Sequence, residues 1–356
     1  MRIVITGATG NVGTALLRHL ASTGDHQLVG LARRIPDTPS VGGREVAWHS
    51  VDLTADEDPL PGIVAGADAV VHLAWGFQPS HDLDYLERLG VGGTRRVLDA
   101  VRAAGVPHLV HQSSLGAYSP RSDDRPVDES YPTGGVPTSP YSRHKVAAER
   151  LLDEAETEDG AGDLTITRMR PGVIGQRSAG SALMRYGVPG LVPSWVLGRL
   201  PVLPLDRGLR IAFVHADDVA DAIGRVLDQR VGGAFNLATS SPLSAADIAN
   251  TFGARLVHVP SAVLRAGVDV SWRLHLQQID AGWLDMGFAL PHLDSTRART
   301  ELGWEPAHSA IETFAEVLDG MREGASGPTA VLRPRSLAQT LGDAVRRGPV
   351  GQRRTP

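Results

Sequence analysis

Along the first half of the chain, short apolar runs alternate with stretches in which apolar residues recur every three to four positions. Arg2–Thr6 (RIVIT), Gln27–Ala32, Glu45–Val51, Ala69–Ala74, His108–Gln112 and Leu164–Met169 read as strands. Val12–Ser22, Tyr85–Ala104 and Tyr141–Glu156 read as amphipathic helices between them. Strands that are apolar almost throughout have both faces covered, and a helix between successive strands returns the chain for parallel pairing. The pattern predicts an α/β fold built on a doubly wound, mostly parallel sheet.

After Pro171 the texture changes. Gly187–Gly208 is rich in Pro and Gly and has no period, as a lid or substrate lobe would be. The strand-like run Ile211–His215, the helical Asp217–Leu227 and the run Ala234–Leu237 then return to the sheet. Two interleaved units follow: residues 1–172 with 208–240 as a nucleotide-binding half, and residues 173–207 with 241–323 as a smaller C-terminal substrate lobe. Residues 324–356 carry six Arg against one Asp and read as a flexible basic tail with one short helix over Ser336–Arg346.

Composition narrows the function classes. The 356 residues carry a net charge of −5, which gives no overall attraction to a nucleic-acid backbone. No cysteine is present, which excludes disulfides, thiolate metal sites and thiol nucleophiles. No run reaches the ~18 apolar residues of a membrane span, and RIVIT before Gly7 is too short for a signal peptide. These readings point to a cytoplasmic protein with a small-molecule substrate, without nucleic-acid or membrane partners.

The strand RIVIT runs directly into Gly7-Ala8-Thr9-Gly10-Asn11-Val12-Gly13, and a helix follows without a break. Strand, glycine turn and helix N-terminus are the parts of a Rossmann pyrophosphate site, with free amides and the helix dipole facing the anion. Asp52-Leu53 closes the third strand, where an acid can meet an adenine amino group, and His72-Leu73-Ala74 closes the fourth beside the pyrophosphate. The second strand ends in Ala32-Arg33-Arg34. A carboxylate there selects NAD by binding the ribose 2′-hydroxyl, whereas Arg accommodates the 2′-phosphate of NADP. The segment favours NADP, with NAD as the alternative.

Tyr141 and Lys145 lie four apart on a helical stretch, one turn or ~6 Å apart along one face. A phenol ionises near ~10 and needs a nearby positive charge to exchange protons at neutral pH; Lys145 is placed to supply it. Ser114, at the carboxyl end of the strand His108–Gln112, is placed to hold a substrate oxygen while its charge develops.

Glycine loop, strand-end Ser and Tyr-Lys helix, in that order, resemble the extended short-chain dehydrogenase/reductases of the NAD-dependent epimerase/dehydratase type. The resemblance covers residues 1–320 and also rests on His72-Leu73-Ala74, Arg170-Pro171-Gly172, Phe213–Ala220, Phe235–Ala238 and Glu301–Pro306. It implies that Tyr141 is the general acid/base, that Lys145 binds the nicotinamide ribose and lowers the Tyr141 pKa, that Ser114 holds the reacting oxygen, and that Pro171 lies against the nicotinamide. Gly7, Thr9, Gly10, Asn11, Val12, Gly13, Arg33, Arg34, Asp52, Leu53, Leu73 and Ala74 would complete the cofactor site. Three departures stand out. Gly90 replaces a family Asn that organises a relay water, Pro171–Gly175 lacks the Asn of sugar-nucleotide members, and Arg210 is displaced by one residue, which on a strand turns it to the other face.

Trp75, Phe77, Tyr186 and Trp195 are candidate substrate contacts, and Tyr85, Trp272, Trp283 and Phe288 add aromatic surface that serves either a pocket or a core. The histidines show no metal spacing with a carboxylate, no Gly-x-Ser-x-Gly elbow occurs, and Asp217-Asp218 reads as a helix cap. The first expectation is an NADP-preferring oxidoreductase acting on a secondary alcohol or ketone. A redox-neutral epimerase or dehydratase and a non-catalytic NADP sensor are the alternatives. Tyr85–Ala104 and Tyr141–Glu156 could pair two copies as a homodimer.

Overall fold

The computed structural model describes residues 1–336 apart from 56, 58, 77–80, 158–162 and 189–191. Phe77 and nearly all of the expected helix over 336–346 therefore lie outside the described residues. The strands in chain order are β1 (Arg2–Thr6), β2 (Gln27–Ala32), β3 (Ser40–Val41), β4 (Arg44–Ser50), β5 (Ala69–His72), β6 (His108–Gln112), β7 (Thr165–Pro171), β8 (Val173–Gly175), β9 (Val202–Leu205), β10 (Arg210–Ile211), β11 (Phe213–His215), β12 (Gly233–Leu237), β13 (Leu243–Ser244) and β14 (Arg255–His258).

Eight of them form one sheet in the order β12-β7-β6-β5-β1-β2-β4-β3, parallel throughout except for β3 against β4. The doubly wound Rossmann sheet expected from the apolar runs is the observed one. From β1 the chain builds outward through β2 to β4, then crosses back to β5 on the other side of β1. That reversal opens a crevice at the carboxyl ends of β1 and β5, where such sheets bind ligands.

Helices cover both faces because successive strand residues point in opposite directions. Ile3 and Ile5 face α1 (Asn11–Thr23), together with the long helix Ala216–Gln229; Val4, Val70 and Leu109 face the opposite layer. That second layer holds α2 (Leu60–Val64), α3 (Leu83–Glu87), α4 (Gly93–Ala103) and α5 (Pro140–Thr157). The helix expected over 85–104 is thus split: a π-helical turn, Arg88–Gly92, separates α3 from α4. Three glycines, at 90, 92 and 93, weaken the helix there, and wide turns of this kind cluster at functional sites.

The remaining helices are α6 (Gly180–Gly187), α7 (Ala216–Gln229), α8 (Ala245–Phe252), α9 (Ser261–Arg273), α10 (Ala281–Ala289), α11 (Thr296–Leu302) and α12 (Ala310–Glu323). They surround the small sheets β9 with β14, β10 with β13 and β8 with β11. Reciprocal capping boxes, Ser244 with Asp247 and Ser309 with Glu312, start α8 and α12. The cap of α7 is His215 rather than Asp217-Asp218; Asp218 instead accepts from the backbone amides of Ala307 and His308. Burial of Asp218 beside the Trp304 turn directs its carboxylate away from its own helix.

The basic tail does not hang free at its start. Ala325 O accepts from Ser181 N at 2.8 Å, Thr329 Oγ1 donates to Thr9 O at 2.8 Å, and Leu332 is buried against Ala179 and Ala182. Thr329, Val331 and Leu332 give this part of an Arg-rich segment the surface it needs to pack.

Candidate active site

The turn after β1 is built for close approach. Gly7 has φ +68°, and a Cβ there would meet Ala74 N at 2.7 Å. A Cβ on Gly13 would meet Gly7 O at 2.4 Å, so only glycine lets α1 begin against the turn. Gly10 caps α1 without a side-chain hydrogen bond, and no acid occupies the first turn. The leading amides of α1 are therefore available to an anion, which fits a dinucleotide pyrophosphate. Asn11 is held from the far side, its Oδ1 and backbone O both accepting from Gln176 Nε2, and Val12 is buried in the core. Thr6 Oγ1 accepts from Ala74 N at 3.2 Å and so ties the glycine turn to the end of β5.

Around this turn the other cofactor candidates sit as strand order dictates. Leu73 lines the cleft, while Leu53 is buried against Gly93. Asp52 uses Oδ1 to accept from Thr54 N and Oγ1, which holds its carboxylate in a turn. Arg33 is half-buried and donates to Tyr85 Oη at 2.6 Å, and Arg34 is exposed.

At the other end of the same cleft stand the residues expected to carry the proton chemistry. Tyr141 begins α5, and its hydroxyl hydrogen-bonds Ser114, which caps the turn after β6. Burial pushes the Tyr141 hydroxyl up to about 12, and the bond to Ser114 opposes this only in part. Lys145 lies one turn further, 2% exposed, donating from Nζ to Gln112 O at 2.7 Å. Its Nζ also stands 3.4 Å from the centroid of the Trp75 ring, a cation–π contact. Burial holds the ammonium well below its ordinary pKa, with Glu149 opposing. The expected lowering of Tyr141 by Lys145 is not what the protein's own groups produce: desolvation of the phenol outweighs a lysine 5.9 Å from its ring centroid.

The base of α5 is locked to the sheet by a buried network. Arg170 on β7 donates to both carboxylate oxygens of Glu149 and, at 3.0 Å, to Tyr118 Oη; Ser113 also donates to Glu149. Tyr118 donates on to Asn236 Oδ1 at 2.7 Å. Charge-assisted, bidentate bonds of this kind fix the register of Lys145 against Gln112.

The cleft encloses about 420 Å³ and joins the glycine turn to Ser114, Tyr141, Lys145 and Pro171. Of the candidate substrate contacts, Trp75 and Tyr186 line it, whereas Trp195 does not, standing 58% exposed beneath Arg199. Arg210 lines the cleft, contrary to the expectation that its displacement turns it away. The β10 segment is only two residues long, so pleat alternation does not govern it. Trp283 packs against Tyr141 at 5.0 Å between ring centroids, and Met286 and Leu290 of the same region extend the apolar wall. Apolar spacing in 281–290 signals a helix but not which face meets the cleft. Val331 and Leu332 also line it, and only the apolar pair within the basic tail signals them.

Gly90 has a visible counterpart. A Cβ there would stand 3.0 Å from Trp75 Cζ2, so the indole fills the space that a side chain at 90 would need.

The model of the NAD dependent epimerase/dehydratase family matches residues 3–238. The UDP-glucose 4-epimerase of Mycolicibacterium smegmatis is 29% identical over 342 residues, 90% of this chain and 99% of that protein. The 3-diazoavenalumate denitrifying reductase of a Streptomyces species is 26% identical over 318 residues, 86% of this chain and 97% of that one. Among solved structures, the UDP-glucose-4-epimerase of Stenotrophomonas maltophila with bound NAD and formylated UDP-arabinopyranose superposes with a TM-score of 0.67 at 22% identity, covering 91% of this chain and 98% of that one. The chain belongs to the NAD dependent epimerase/dehydratase family and is an enzyme of the short-chain dehydrogenase/reductase superfamily.

Proposed function

We propose that the protein is an NADP-preferring oxidoreductase that moves hydride between nicotinamide and the carbinol or carbonyl carbon of an apolar small molecule. The observation that carries this reading is the Ser114–Tyr141 hydroxyl pair, opening on one continuous cleft with the glycine turn at one end and Trp283, Met286 and Leu290 at the other. When bound, the nicotinamide supplies the hydride donor or acceptor carbon. In the reductive direction Ser114 hydrogen-bonds the carbonyl oxygen and Tyr141 gives it a proton as hydride reaches the carbon. Lys145, held between Gln112 O and the Trp75 face, would bind the nicotinamide ribose, and Pro171, which lines the cleft, would lie against the ring. Arg33 and Arg34, with no carboxylate at the end of β2, favour the 2′-phosphate. Residues 1–172 with 208–240 serve the dinucleotide, and 173–207 with 241–323 serve the substrate.

A second reading, a redox-neutral epimerase, draws on Arg210 in the cleft, a cation able to hold a diphosphate, and on the similarity to a UDP-glucose 4-epimerase. A panel of apolar ketones and UDP-sugars tests the two. Net oxidation of NADPH with a ketone supports the first; conversion of a UDP-sugar without net cofactor change replaces it with the second. Replacing Tyr141 by Phe separates both from a cofactor sensor: an enzyme loses turnover while keeping cofactor affinity.

A further inference from the structure

The segment after α12 is fastened on both sides of the cleft. On one side it is tied to α6: Ser181 N and Oγ donate to Ala325 O and Gly324 O, each at 2.8 Å, Arg185 donates to the carbonyls of Val331 and Arg333, and Leu332 is buried against Ala179 and Ala182. On the other it reaches the glycine turn, where the buried Thr329 hydroxyl donates to Thr9 O at 2.8 Å. The same hydroxyl accepts from Leu332 N at 3.3 Å, and Gly327 N donates to Leu332 O at 2.8 Å, so residues 327–332 form a closed turn around one oxygen. Val331 and Leu332 line the same cavity as Gly10, Asn11 and Val12.

Thr329 acts on a single peptide. The Thr9–Gly10 peptide gives its N–H to Gly7 O at 2.9 Å and its carbonyl to Thr329, so both of its poles are engaged. Gly10 caps α1 with no side-chain hydrogen bond, and the amides just after it are the ones open to an anion. A carbonyl oxygen turned toward an anion would repel it. The bond to Thr329 holds this carbonyl on a residue that does not line the cleft. The start of α1 is therefore fixed by a hydroxyl 320 positions away in sequence, on the same short turn that carries two cavity-lining residues.

We propose that residues 325–332 belong to the dinucleotide site: Val331 and Leu332 are a wall of the cavity at its glycine-turn end, and Thr329 is a positioning residue that holds the anion-binding start of α1 in place. The proposal rests on the reading of the cleft as a dinucleotide site and is independent of the choice between NADP and NAD.

The test is calorimetric binding of NADPH, NADH and ADP-ribose to the full chain stripped of cofactor, with urea denaturation of the same stripped samples to show that each variant is folded. ADP-ribose keeps the pyrophosphate and lacks the nicotinamide. Thr329→Val, which removes the hydroxyl at nearly constant volume, is expected to weaken all three ligands alike, by about threefold to tenfold, the worth of one hydrogen bond. Thr329→Ser should stay within about twofold of the wild type. Leu332→Ala, which undocks the turn without touching Thr9, should weaken all three at least as much as Thr329→Val. Hydrogen exchange of residues 327–332 should slow when NADPH or NADH binds. Unchanged affinity in Thr329→Val, or weakening of the nicotinamide dinucleotides without ADP-ribose, overturns the positioning role. Unchanged affinity in Leu332→Ala, or exchange that the dinucleotide does not slow, overturns the wall. Wild-type protein that binds none of the three ligands overturns the dinucleotide reading itself.

Discussion

Tyr141 offers the sharpest test of the proposed proton chemistry. An ordinary tyrosine is half ionised near pH ~10, but burial pushes this hydroxyl up to about 12. The two-unit gap corresponds to roughly 2.7 kcal/mol in favour of the neutral phenol. At about pH 10 only about one molecule in a hundred should then carry a phenolate at this position, instead of one in two. Ultraviolet phenolate absorbance, taken as wild type minus Tyr141→Phe across a pH titration of protein stripped of cofactor, reads that population directly. The difference should stay flat through pH ~10 and rise only near the upper end. A full phenolate step at or below pH ~10 in the stripped protein would refute the reasoning, because it would mean that a charge outweighs desolvation without help from the nicotinamide. The same imbalance sets a direction for catalysis. A phenol held neutral is already the proton donor that reduction needs, whereas alcohol oxidation must first create the phenolate. In the wild type the oxidative rate should therefore climb with pH over a range in which the reductive rate is level, and Tyr141→Phe should lower turnover by roughly two to four orders of magnitude.

Other consequences follow from the packing around this site. His72 is buried beside the Lys145 charge and has its pKa pushed down to about 3 from 6.5. As pH falls through 6.5 the unfolded chain gains a proton that the native chain refuses until about 3, so stability declines over that window. At about pH 5 the loss from this residue is about 2 kcal/mol; urea denaturation of wild type and His72→Asn at neutral and acidic pH should show the variant losing correspondingly less, and parallel losses would contradict it. Glu149→Gln leaves Arg170 buried without a full counter-charge and should destabilise by about 3 to 5 kcal/mol, read as a shift in denaturation midpoint. Gly90→Asn places a side chain against the Trp75 indole and should cost about 1 to 3 kcal/mol; combining it with Trp75→Ala should recover part of that loss, and strict additivity would show that the two positions do not share space.

The Trp75–Gly90 pair also explains a local irregularity. The π-helical turn Arg88–Gly92 lets Thr94 Oγ1 donate to Gly90 O at 2.7 Å and accept from His72 Nε2 at 3.1 Å. The indole that fills the space over Gly90 is the same ring that faces Lys145 Nζ. A missing side chain on one helix and a large one after β5 are two halves of a single packing solution. Neither residue signals the other in the sequence.

By itself the sequence determined what depends on neighbours along the chain. Apolar runs of strand length separated by amphipathic stretches imposed a parallel sheet with both faces covered, because each strand must bury two faces and each helix one. The glycine turn, the Ser after β6 and the Tyr–Lys spacing were legible for the same reason: a turn, a strand end and one helical repeat are all set within a few residues. Tertiary structure alone decided what depends on residues far apart. It brought Trp283 from position 283 onto Tyr141, turned Arg210 into the cleft, left Trp195 outside it, and laid Thr329 across Thr9. It also set the Tyr141 hydroxyl high, since desolvation is summed over every chain segment that shuts out water and no local spacing records that sum.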